Sequence, residues 1–393
     1  MQQKKRINVL FVSPGYKPYI GGTERIIEQI GNEFLQSGHV ARVGVLTTFM
    51  DFNVSPPNEN RNLPSRETID GIEVFRLHFS PRRLRLFYTL PAGLFSTKVR
   101  QVIRDFQPDV IHFLLNEWYV ANLWIYWLTR KCSKHVMLIP FHEPPDNFHF
   151  LLMKWIISFL GRRVDQVHVS CSHIKDRAAE YYGIPKDKIE VIPLGLTSNS
   201  RSQGQGGNRS GEPLTLISVG RLALEKGQLE LVRLFHQVRE RFNKQVRLVL
   251  VGGDGGHREA IEEFIRQNQL EDSVHIAGFV SQESLEALYR ESDIFILLTR
   301  NESFCLAFAE ALSYGIPCIG YAIGALETSF TQGVVLVEPF DSNAVANRLQ
   351  ELVNDDALRM RLGQEAHEFA WKAFSWKTTC ERLLRLYQGA NKD

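Results

Sequence analysis

The sequence lacks several patterns that would assign it to a particular class. Its 393 residues include five cysteines and no Cys-x-x-Cys pair, so neither a zinc site nor a redox dithiol is predicted. No apolar run reaches the roughly 18 residues that cross a bilayer, because three glycines and a proline interrupt the longest one, at 311–326. The N-terminus is basic and then apolar without a small-residue cleavage site, so we interpret it as a first strand. A reduced, cytoplasmic protein is expected.

Motifs for several kinds of ligand are also missing. No Gly-x-Gly-x-x-Gly follows a strand-like run, which disfavours a dehydrogenase, and without a Walker A loop ATP binding is not predicted. No Asp-x-Asp occurs, so a metal chelated by that motif is not indicated and we expect no metal or other cofactor. No helix-turn-helix or base-stacking motif accompanies the basic residues, so nucleic acid is not an expected partner.

Charge is distributed unevenly along the chain. The formal net charge is +2, but residues 1–197 hold 25 basic and 18 acidic side chains, whereas the remainder holds 21 and 26. Between Glu73 and Asp105 no acid occurs, and apolar residues alternate with Arg76, Arg82, Arg83, Arg85, Lys98, Arg100 and Arg104. Such a segment can bind an anionic acceptor or an anionic membrane surface, at about 1 kcal/mol per basic residue near lipid. A solvated loop and helix face is the alternative.

Short apolar runs alternate with amphipathic segments along both halves of the chain. Alternating strands and helices predict an α/β fold with parallel sheets covered on both faces. Residues 198–213 contain no apolar side chain and read as a linker or surface loop. The sequence therefore predicts two nucleotide-binding-like domains, at 1–197 and 214–373, followed by an amphipathic helical segment at 374–393.

Ligands of parallel sheets bind at the carboxyl ends of the strands, so the loops there are the candidate sites. Gly21 and Gly22 follow the first strand and open the first helix, where backbone amides can approach an anion, although a plain strand-to-helix turn is also possible. Arg221 and Lys226 follow the first strand of the second half. A bidentate guanidinium and a point charge suit a diphosphate, and two solvated surface cations are the alternative.

Two carboxylates define a third candidate site. Glu302 precedes a predicted helix at 304–314, for which Asn301 or Ser303 could be the cap. Glu310 lies two turns further, among apolar residues, where a carboxylate is costly without a partner. That partner could be the two hydroxyls of a ribose or a structural salt bridge. His142, at the end of another strand, is either catalytic or structural.

These segments, in this order, resemble the retaining nucleotide-sugar glycosyltransferases of family 4, whose GT-B fold has two Rossmann-like domains facing across a cleft. The resemblance covers nearly the whole chain. It includes GGTE at 21–24, FHE at 141–143, VIPLGL at 191–196, GRLALEKG at 220–227, VGGDG at 251–255, GFVSQESLEALYRESDIFILLT at 278–299, Glu-x7-Glu at 302–310, EALSYGIPCIG at 310–320 and FSW at 374–376. Cys305 stands where the family pattern usually has glycine.

The resemblance implies roles for individual residues. Arg221 and Lys226 would hold the donor diphosphate and neutralise the leaving group. Glu310 would bind the ribose hydroxyls, Glu302 would contact the donor sugar, and His142 would reach toward that sugar. The backbone amides of Phe304, Cys305 and Leu306 would contact phosphate oxygens. Gly21 and Gly22 would line the phosphate and acceptor side. Val280 would lie beside the base.

The expected activity is retaining transfer from a nucleotide-diphosphate sugar, a UDP-sugar before a GDP-sugar, to a glycan, lipid-linked or small-molecule acceptor. Because no carboxylate pair suits a double displacement, we expect a front-face displacement. A sugar-nucleotide epimerase or hydrolase on the same fold, or a catalytically silent partner subunit, are the alternatives. A glycan or lipid-linked acceptor would fit a basic first domain peripheral to a membrane, with Lys17 and Tyr19 facing that acceptor.

Overall fold

A computed structural model describes residues 6–19, 22–51, 58–60, 62–77, 92–114, 119–139, 148–196 and 213–389. Contacts divide the chain into two compact units, Met1–Gly195 with Trp376–Asp393, and Leu196–Ser375. Nearly all of the predicted linker lies outside the described residues. So do Gly21, His142, Arg82, Arg83 and Arg85.

The first unit is built on an eight-stranded sheet in the order β10-β9-β8-β7-β1-β2-β6-β5, with a separate antiparallel pair, β3 and β4. Every neighbouring pair in the large sheet is parallel except β5 and β6. The strands are β1 (Ile7–Val12), β2 (Val40–Thr48), β3 (Met50–Asp51), β4 (Asn58–Glu59), β5 (Arg66–Ile69), β6 (Ile72–Leu77), β7 (Val110–Leu114), β8 (Lys134–Leu138), β9 (Gln166–Val169) and β10 (Ile189–Val191).

Helices connect the parallel strands of this unit, because a parallel pair needs a crossover connection. They are α1 (Gly22–Gln36), α2 (Ala92–Phe106), α3 (Tyr119–Thr129), α4 (Phe148–Arg163) and α5 (Ser172–Tyr182). In α1, Ile27, Ile30 and Phe34 are buried, as the 3.6-residue periodicity of the sequence predicts. Thr23 lies inside the first turn of α1.

The second unit has a six-stranded, all-parallel sheet in the order β13-β12-β11-β14-β15-β16. This is the 3-2-1-4-5-6 order of the Rossmann fold, with its switch point between β11 and β14. The strands are β11 (Leu214–Val219), β12 (Val246–Val251), β13 (Val274–Gly278), β14 (Ile294–Leu297), β15 (Cys318–Tyr321) and β16 (Val334–Val337). The helices are α6 (Gln228–Val238), α7 (Arg258–Gln267), α8 (Gln282–Arg290), α9 (Leu306–Ser313), α10 (Gly324–Ser329), α11 (Ser342–Asn354) and α12 (Asp356–Ala373). The predicted α/β class with two parallel sheets is confirmed.

The last helix, α13 (Trp376–Gln388), belongs to the first unit. The hydroxyl of Thr379 donates to the carbonyl of Pro193 (2.7 Å), and the hydroxyl of Tyr387 lies 2.7 Å from Nδ1 of His112. Six of its thirteen residues are buried. The amphipathic pattern of this segment is therefore explained by packing on the first sheet. All five cysteines are free, and no helix of the described residues is long and apolar enough to span a bilayer.

Two fully buried histidines lie beside this helix. The rings of His112 and His168 are 6.0 Å apart. Nε2 of His168 donates to the carbonyl of Ile192 (2.8 Å), while its Nδ1 has no hydrogen-bond partner among the described residues. Burial lowers the pKa of His168 to about 4, with a smaller lowering by Arg382 that Glu190 opposes. Burial also holds the pKa of His112 well below its usual value.

Acid is therefore expected to destabilise the first unit. A buried histidine binds a proton more weakly in the folded state than in the unfolded state. Above the unfolded pKa of about 6.5 neither state is protonated, so the free energy of unfolding does not depend on pH. As the pH falls from 6.5 toward 4, only the unfolded state gains the proton, and the free energy of unfolding decreases. For His168 alone the loss is about 2 kcal/mol at pH 5. Urea denaturation of wild type, His168→Gln and the exposed control His275→Gln at pH 7.5 and 5.0 measures it. An unchanged pH dependence in His168→Gln would contradict this assignment.

Candidate active site

Two loops meet at the switch point of the second sheet. The β11 loop (Gly220–Gly227) follows the first strand of this unit, and the β14 loop (Leu298–Cys305) follows the fourth. The amide of Arg300 donates to the carbonyl of Glu225 (2.8 Å), and the hydroxyl of Thr299 donates to the same carbonyl (3.2 Å). The two loops that carry the predicted diphosphate and sugar residues therefore form one structure.

Gly227 makes this close approach possible. Its φ is +70°, and a Cβ there would lie 2.2 Å from the carbonyl oxygen of Leu298. On the other side, the buried side-chain amide of Gln228 donates to the carbonyls of Gly220 (3.2 Å) and Arg221 (2.9 Å). Gln228 fixes the course of the β11 loop. Sequence analysis missed it, because an amide next to a helix start is not distinctive by itself.

Replacing Gly227 with alanine is expected to lower the unfolding free energy of the second unit by about 2 kcal/mol or more, because left-handed strain and a backbone clash add up. Gly253→Ala is the matched control, since a Cβ at Gly253 meets nothing within 4 Å. Urea denaturation of both variants tests the expectation. Equal stability of the two would show that the loops can separate at no cost.

Lys226 and Glu302 form an ion pair across the two loops. Nζ of Lys226 donates to Oε1 of Glu302, and the side chains are only 20% and 11% exposed. Burial would lower the pKa of Lys226, but the Glu302 carboxylate outweighs it and raises that pKa above its ordinary value. Oγ1 of Thr299 also lies 3.3 Å from Oε1 of Glu302, which is an alternative acceptor for the single proton of that hydroxyl. The ammonium is thus permanently charged and fixed, unlike a solvated surface lysine.

Arg221 is placed differently from Lys226. Its side chain is 65% exposed and pairs with Glu225 at 3.3 Å, four residues along the same loop. Exposed pairs of this kind contribute little to stability, so the guanidinium can change partners at small cost. The structure therefore gives the β11 loop one fixed cation and one adaptable cation.

Glu310 lies on α9, where its Oε2 accepts a hydrogen bond from the hydroxyl of Tyr289 on α8 (3.0 Å). Burial, reinforced by this carboxylate, holds the pKa of Tyr289 well above its usual value, so the phenol remains a donor. Tyr289 is stacked on Tyr314, with ring centroids 5.4 Å apart. A structural partner for Glu310 thus exists. Tyr289 escaped sequence analysis because it occupies an apolar position of α8.

The start of α9 differs from the expectation. Its N-cap residue is Cys305, in the left-handed region at φ +71°, and Cys305 makes no side-chain cap hydrogen bond. Asn301 and Ser303 are therefore not the cap. Burial, with Glu302 nearby, holds the pKa of the Cys305 thiol well above its usual value. A left-handed backbone explains why glycine is usual here, and the cysteine bears strain of about 1–2 kcal/mol.

Two family models match consecutive parts of the chain. "Glycosyl transferase 4-like domain" matches residues 21–195, and "Glycosyl transferases group 1" matches residues 200–369.

The chain belongs to glycosyltransferase family 4.

Relatives and solved structures support this assignment and the fold. A D-inositol 3-phosphate glycosyltransferase of Xylanimonas cellulosilytica is 32% identical over 228 residues. The match covers 54% of this chain and 54% of that protein, so this chain spans about half the length of that relative. Sucrose-phosphate synthase of Thermosynechococcus elongatus superposes with a TM-score of 0.76 at 22% identity, covering 98% of this chain and 99% of its own. Anabaena HepE in complex with UDP-glucose gives a TM-score of 0.74 at 19% identity, covering 98% and 100%. The two structures establish that this family 4 chain has the GT-B fold.

The remaining predicted donor-site residues of this family 4 chain lie in different surroundings. Val280 is half-buried and lies two residues after the end of β13, next to Phe279, which is 67% exposed. Phe304 is buried against Phe330 and Phe374, with ring centroids 5.6 and 5.3 Å apart, so its side chain supports the fold. Within the described residues, no group of three or more His, Cys, Asp or Glu is placed to hold a metal ion.

Two further predicted donor-binding residues lie at helix starts, and two others lie outside the described residues. Leu306 is the first residue of α9 and Gly22 the first of α1. A Cβ at Gly22 would meet nothing within 4 Å, so space alone does not require glycine there. The roles predicted for Gly21 and His142 fall outside the described residues.

Residues expected to face an acceptor are partly engaged in the first unit. Nζ of Lys17 lies 2.7 Å from both Glu28 and Asp70. The side chain of Arg76 is buried and paired with Glu67, which removes it from the basic surface expected from the sequence. The exposed cations of α2 are Lys98, Arg100 and Arg104.

Proposed function

We propose that this protein is a retaining glycosyltransferase that uses a nucleotide-diphosphate sugar, with a UDP-sugar favoured over a GDP-sugar. The observation that carries the proposal is the fixed Lys226–Glu302 pair at the switch point of a Rossmann-like sheet. Ligands of open parallel sheets bind at this point. Family membership and the likeness to HepE, whose structure contains UDP-glucose, support a UDP-sugar donor.

Each cation has a separate role in binding the donor diphosphate. Lys226, already charged and aligned by Glu302, loses little freedom on contact with a phosphate oxygen. Arg221 exchanges its exposed partner Glu225 for the second phosphate. The amides of Phe304, Cys305 and Leu306, at the start of α9, add uncharged donors. With the charge neutralised in this way, we propose no chelated metal.

The two carboxylates orient the sugar and the nucleoside. Glu310 accepts from the two ribose hydroxyls while its contact with Tyr289 fixes the carboxylate. Glu302 accepts from hydroxyls of the donor sugar while it keeps Lys226 in place. Val280 lies beside the base. The resemblance further implies that Gly21 and Gly22 line the phosphate and acceptor side and that His142 contacts the donor sugar.

Transfer proceeds on one face of the sugar. The bond between the anomeric carbon and the leaving phosphate oxygen breaks, and the acceptor oxygen forms its bond on the same face. The acceptor proton passes to the departing diphosphate, whose negative charge Lys226 and Arg221 stabilise. Proton NMR of the anomeric signal in the product tests retention, and an inverted product would contradict this step.

The acceptor is a glycan, a lipid-linked sugar or a small molecule that binds to the first unit. The inositol phosphate glycosyltransferase among the relatives supports a small polar acceptor. The exposed cations of α2, Lys98, Arg100 and Arg104, support an anionic one and a peripheral position on a membrane.

A thermal-shift panel of UDP, GDP, ADP, CDP and TDP, with and without EDTA, tests the donor proposal. A nucleotide at 100 times its Kd should stabilise the fold by about 2.7 kcal/mol. A shift with one nucleotide that EDTA does not change is the expected result. If no nucleotide shifts the transition, a silent partner subunit replaces the transferase. Release of free sugar without any acceptor would instead favour a hydrolase.

A further inference from the structure

Two neighbouring helices of the first unit expose large apolar side chains. Trp127 of α3 is 53% exposed, and Leu151 and Trp155 of α4 are 61% and 58% exposed. The hydroxyl of Tyr126 donates to the carbonyl of Arg163 (3.4 Å), so the C-terminal turns of the two helices lie side by side. The strands that precede and follow these helices, β7, β8 and β9, are adjacent and parallel, which places both helices on one face of the sheet. The exposed residues thus form one surface, the α3–α4 face.

On α4 three exposed residues and the half-buried Phe159 form a stripe with helical spacing. Leu151, Trp155, Phe159 and Arg163 follow one another at intervals of four, so they line one side of the helix. The rings of Trp155 and Phe159 are stacked 5.5 Å apart, and the guanidinium of Arg163 lies 3.7 Å from the centroid of Phe159. The stripe therefore runs from apolar residues in the first turn to a cation in the last.

The same arrangement occurs on α3. Trp124 and Trp127 are stacked with ring centroids 5.7 Å apart, and Arg130 lies 5.7 Å above the ring of Trp127. Lys131 follows and is exposed. Both helices thus place aromatic rings on the surface and cations one turn further toward their C-terminal ends.

The described residues of α3 and α4 carry charge of a single sign. The described residues 119–139 and 148–163 contain six Lys or Arg and no Asp or Glu. Four of these cations are exposed at the C-terminal ends of the helices, and they are Arg130, Lys131, Arg162 and Arg163. A surface that combines exposed tryptophans with cations is complementary to anionic headgroups above an apolar layer.

We infer that the α3–α4 face docks on the surface of an anionic lipid bilayer. Tryptophan prefers the boundary between headgroups and acyl chains, where its ring is apolar and its N–H is solvated. Arginine and lysine can lie along the apolar surface while their charged ends reach lipid phosphates. A second copy of this chain fits less well, because a twofold interface would bring the same cations together.

This inference deepens the membrane association proposed above and assigns its main contact to α3 and α4. The helix α2, from the basic segment between Glu73 and Asp105, packs beside α3. The inference rests on the proposed function only for its biological purpose, which is access to a lipid-linked acceptor. The two proposals can fail separately. Nucleotide binding by the second unit is measured without vesicles, and vesicle binding is measured without nucleotide.

Flotation with phosphatidylglycerol and phosphatidylcholine vesicles at low salt tests the inference. Wild type should float with the anionic vesicles, and Trp127→Gln/Trp155→Gln should lower the partition coefficient on the order of 100-fold. Met360→Gln is the matched control, because Met360 is 60% exposed on α12 of the other unit. Circular dichroism melts verify that all variants are folded.

Two double variants compare the contributions of the α3–α4 cations and the α2 cations to vesicle binding. Arg130→Gln/Arg163→Gln should lower binding to anionic vesicles on the order of tenfold, whereas Arg100→Gln/Arg104→Gln on α2 should leave most of it. Loss of binding only in the α2 variant would overturn the inference. A wild-type protein that fails to float, or a dimer that Trp127→Gln/Trp155→Gln dissociates, would also overturn it.

Brominated lipids provide an independent readout, because bromine quenches only the tryptophans that reach the bilayer. The chain has six tryptophans, and quenching should fall several-fold in Trp127→Phe/Trp155→Phe, which keeps the apolar rings and should still float. Equal quenching in wild type and this variant would show that another surface contacts the lipid.

Discussion

Replacing Lys226 with methionine is expected to lower the rate of sugar transfer about 100- to 1,000-fold, the usual effect of removing one fixed donor from a developing negative charge. Methionine keeps the length and apolar stem of the side chain but removes the ammonium that Glu302 aligns. The effect should fall on kcat more than on KM, because the charge on the diphosphate increases as the glycosidic bond breaks. Steady-state kinetics with the nucleotide sugar identified by thermal shift measures both constants.

The control for this variant is Lys244→Met. Lys244 also pairs with one carboxylate, that of Asp356, but on the surface of the second unit away from the two loops. Its replacement should leave kcat unchanged. A double variant, Lys226→Met with Glu302→Gln, should recover the stability that an unpaired buried carboxylate costs without recovering activity. If Lys226→Met retains more than half of the wild-type kcat, the proposed role of the β11 loop is wrong.

The fold was predictable from the sequence because its strands are buried on both faces. Runs such as Leu214–Val219 and Val246–Val251 are mostly apolar, and the helices between them have a clear 3.6-residue period. The antiparallel strand β5 was missed, because its exposed and half-buried residues lack an apolar run. The Asp70-Gly71 dipeptide before β6 could have indicated the missed strand, because Asp-Gly is typical of a tight hairpin turn. Both residues have the positive φ that such a turn requires.

The candidate site was predictable in its residue types but not in their partners. Spacing placed Lys226 and Glu302 on two loops, while their ion pair depends on how β11 and β14 lie side by side. A tertiary contact of this kind leaves no local pattern in the sequence. Thr299 and Tyr289, which contact the two carboxylates, were missed for the same reason.

Glu310→Gln is expected to weaken binding of the donor nucleotide on the order of 100-fold, because hydrogen bonds to a charged acceptor contribute about 1.5–3 kcal/mol each. If the carboxylate accepts from both ribose hydroxyls, wild type should also bind the 2′-deoxy and 3′-deoxy nucleotides weakly. Glu310→Gln should discriminate less between these analogues and the parent nucleotide. Isothermal titration of the three nucleotides against both proteins gives the coupling between the carboxylate and each hydroxyl.

Two further variants separate recognition of ribose from support of the fold. Tyr289→Phe removes the hydroxyl that contacts Glu310 but keeps the carboxylate, so it should weaken nucleotide binding only a few-fold. Glu286→Gln on the same helix α8 removes a carboxylate that pairs with Arg290 and should leave binding unchanged. Wild-type affinity for the deoxy nucleotides equal to that for the parent would refute the ribose contact and leave Glu310 a structural residue.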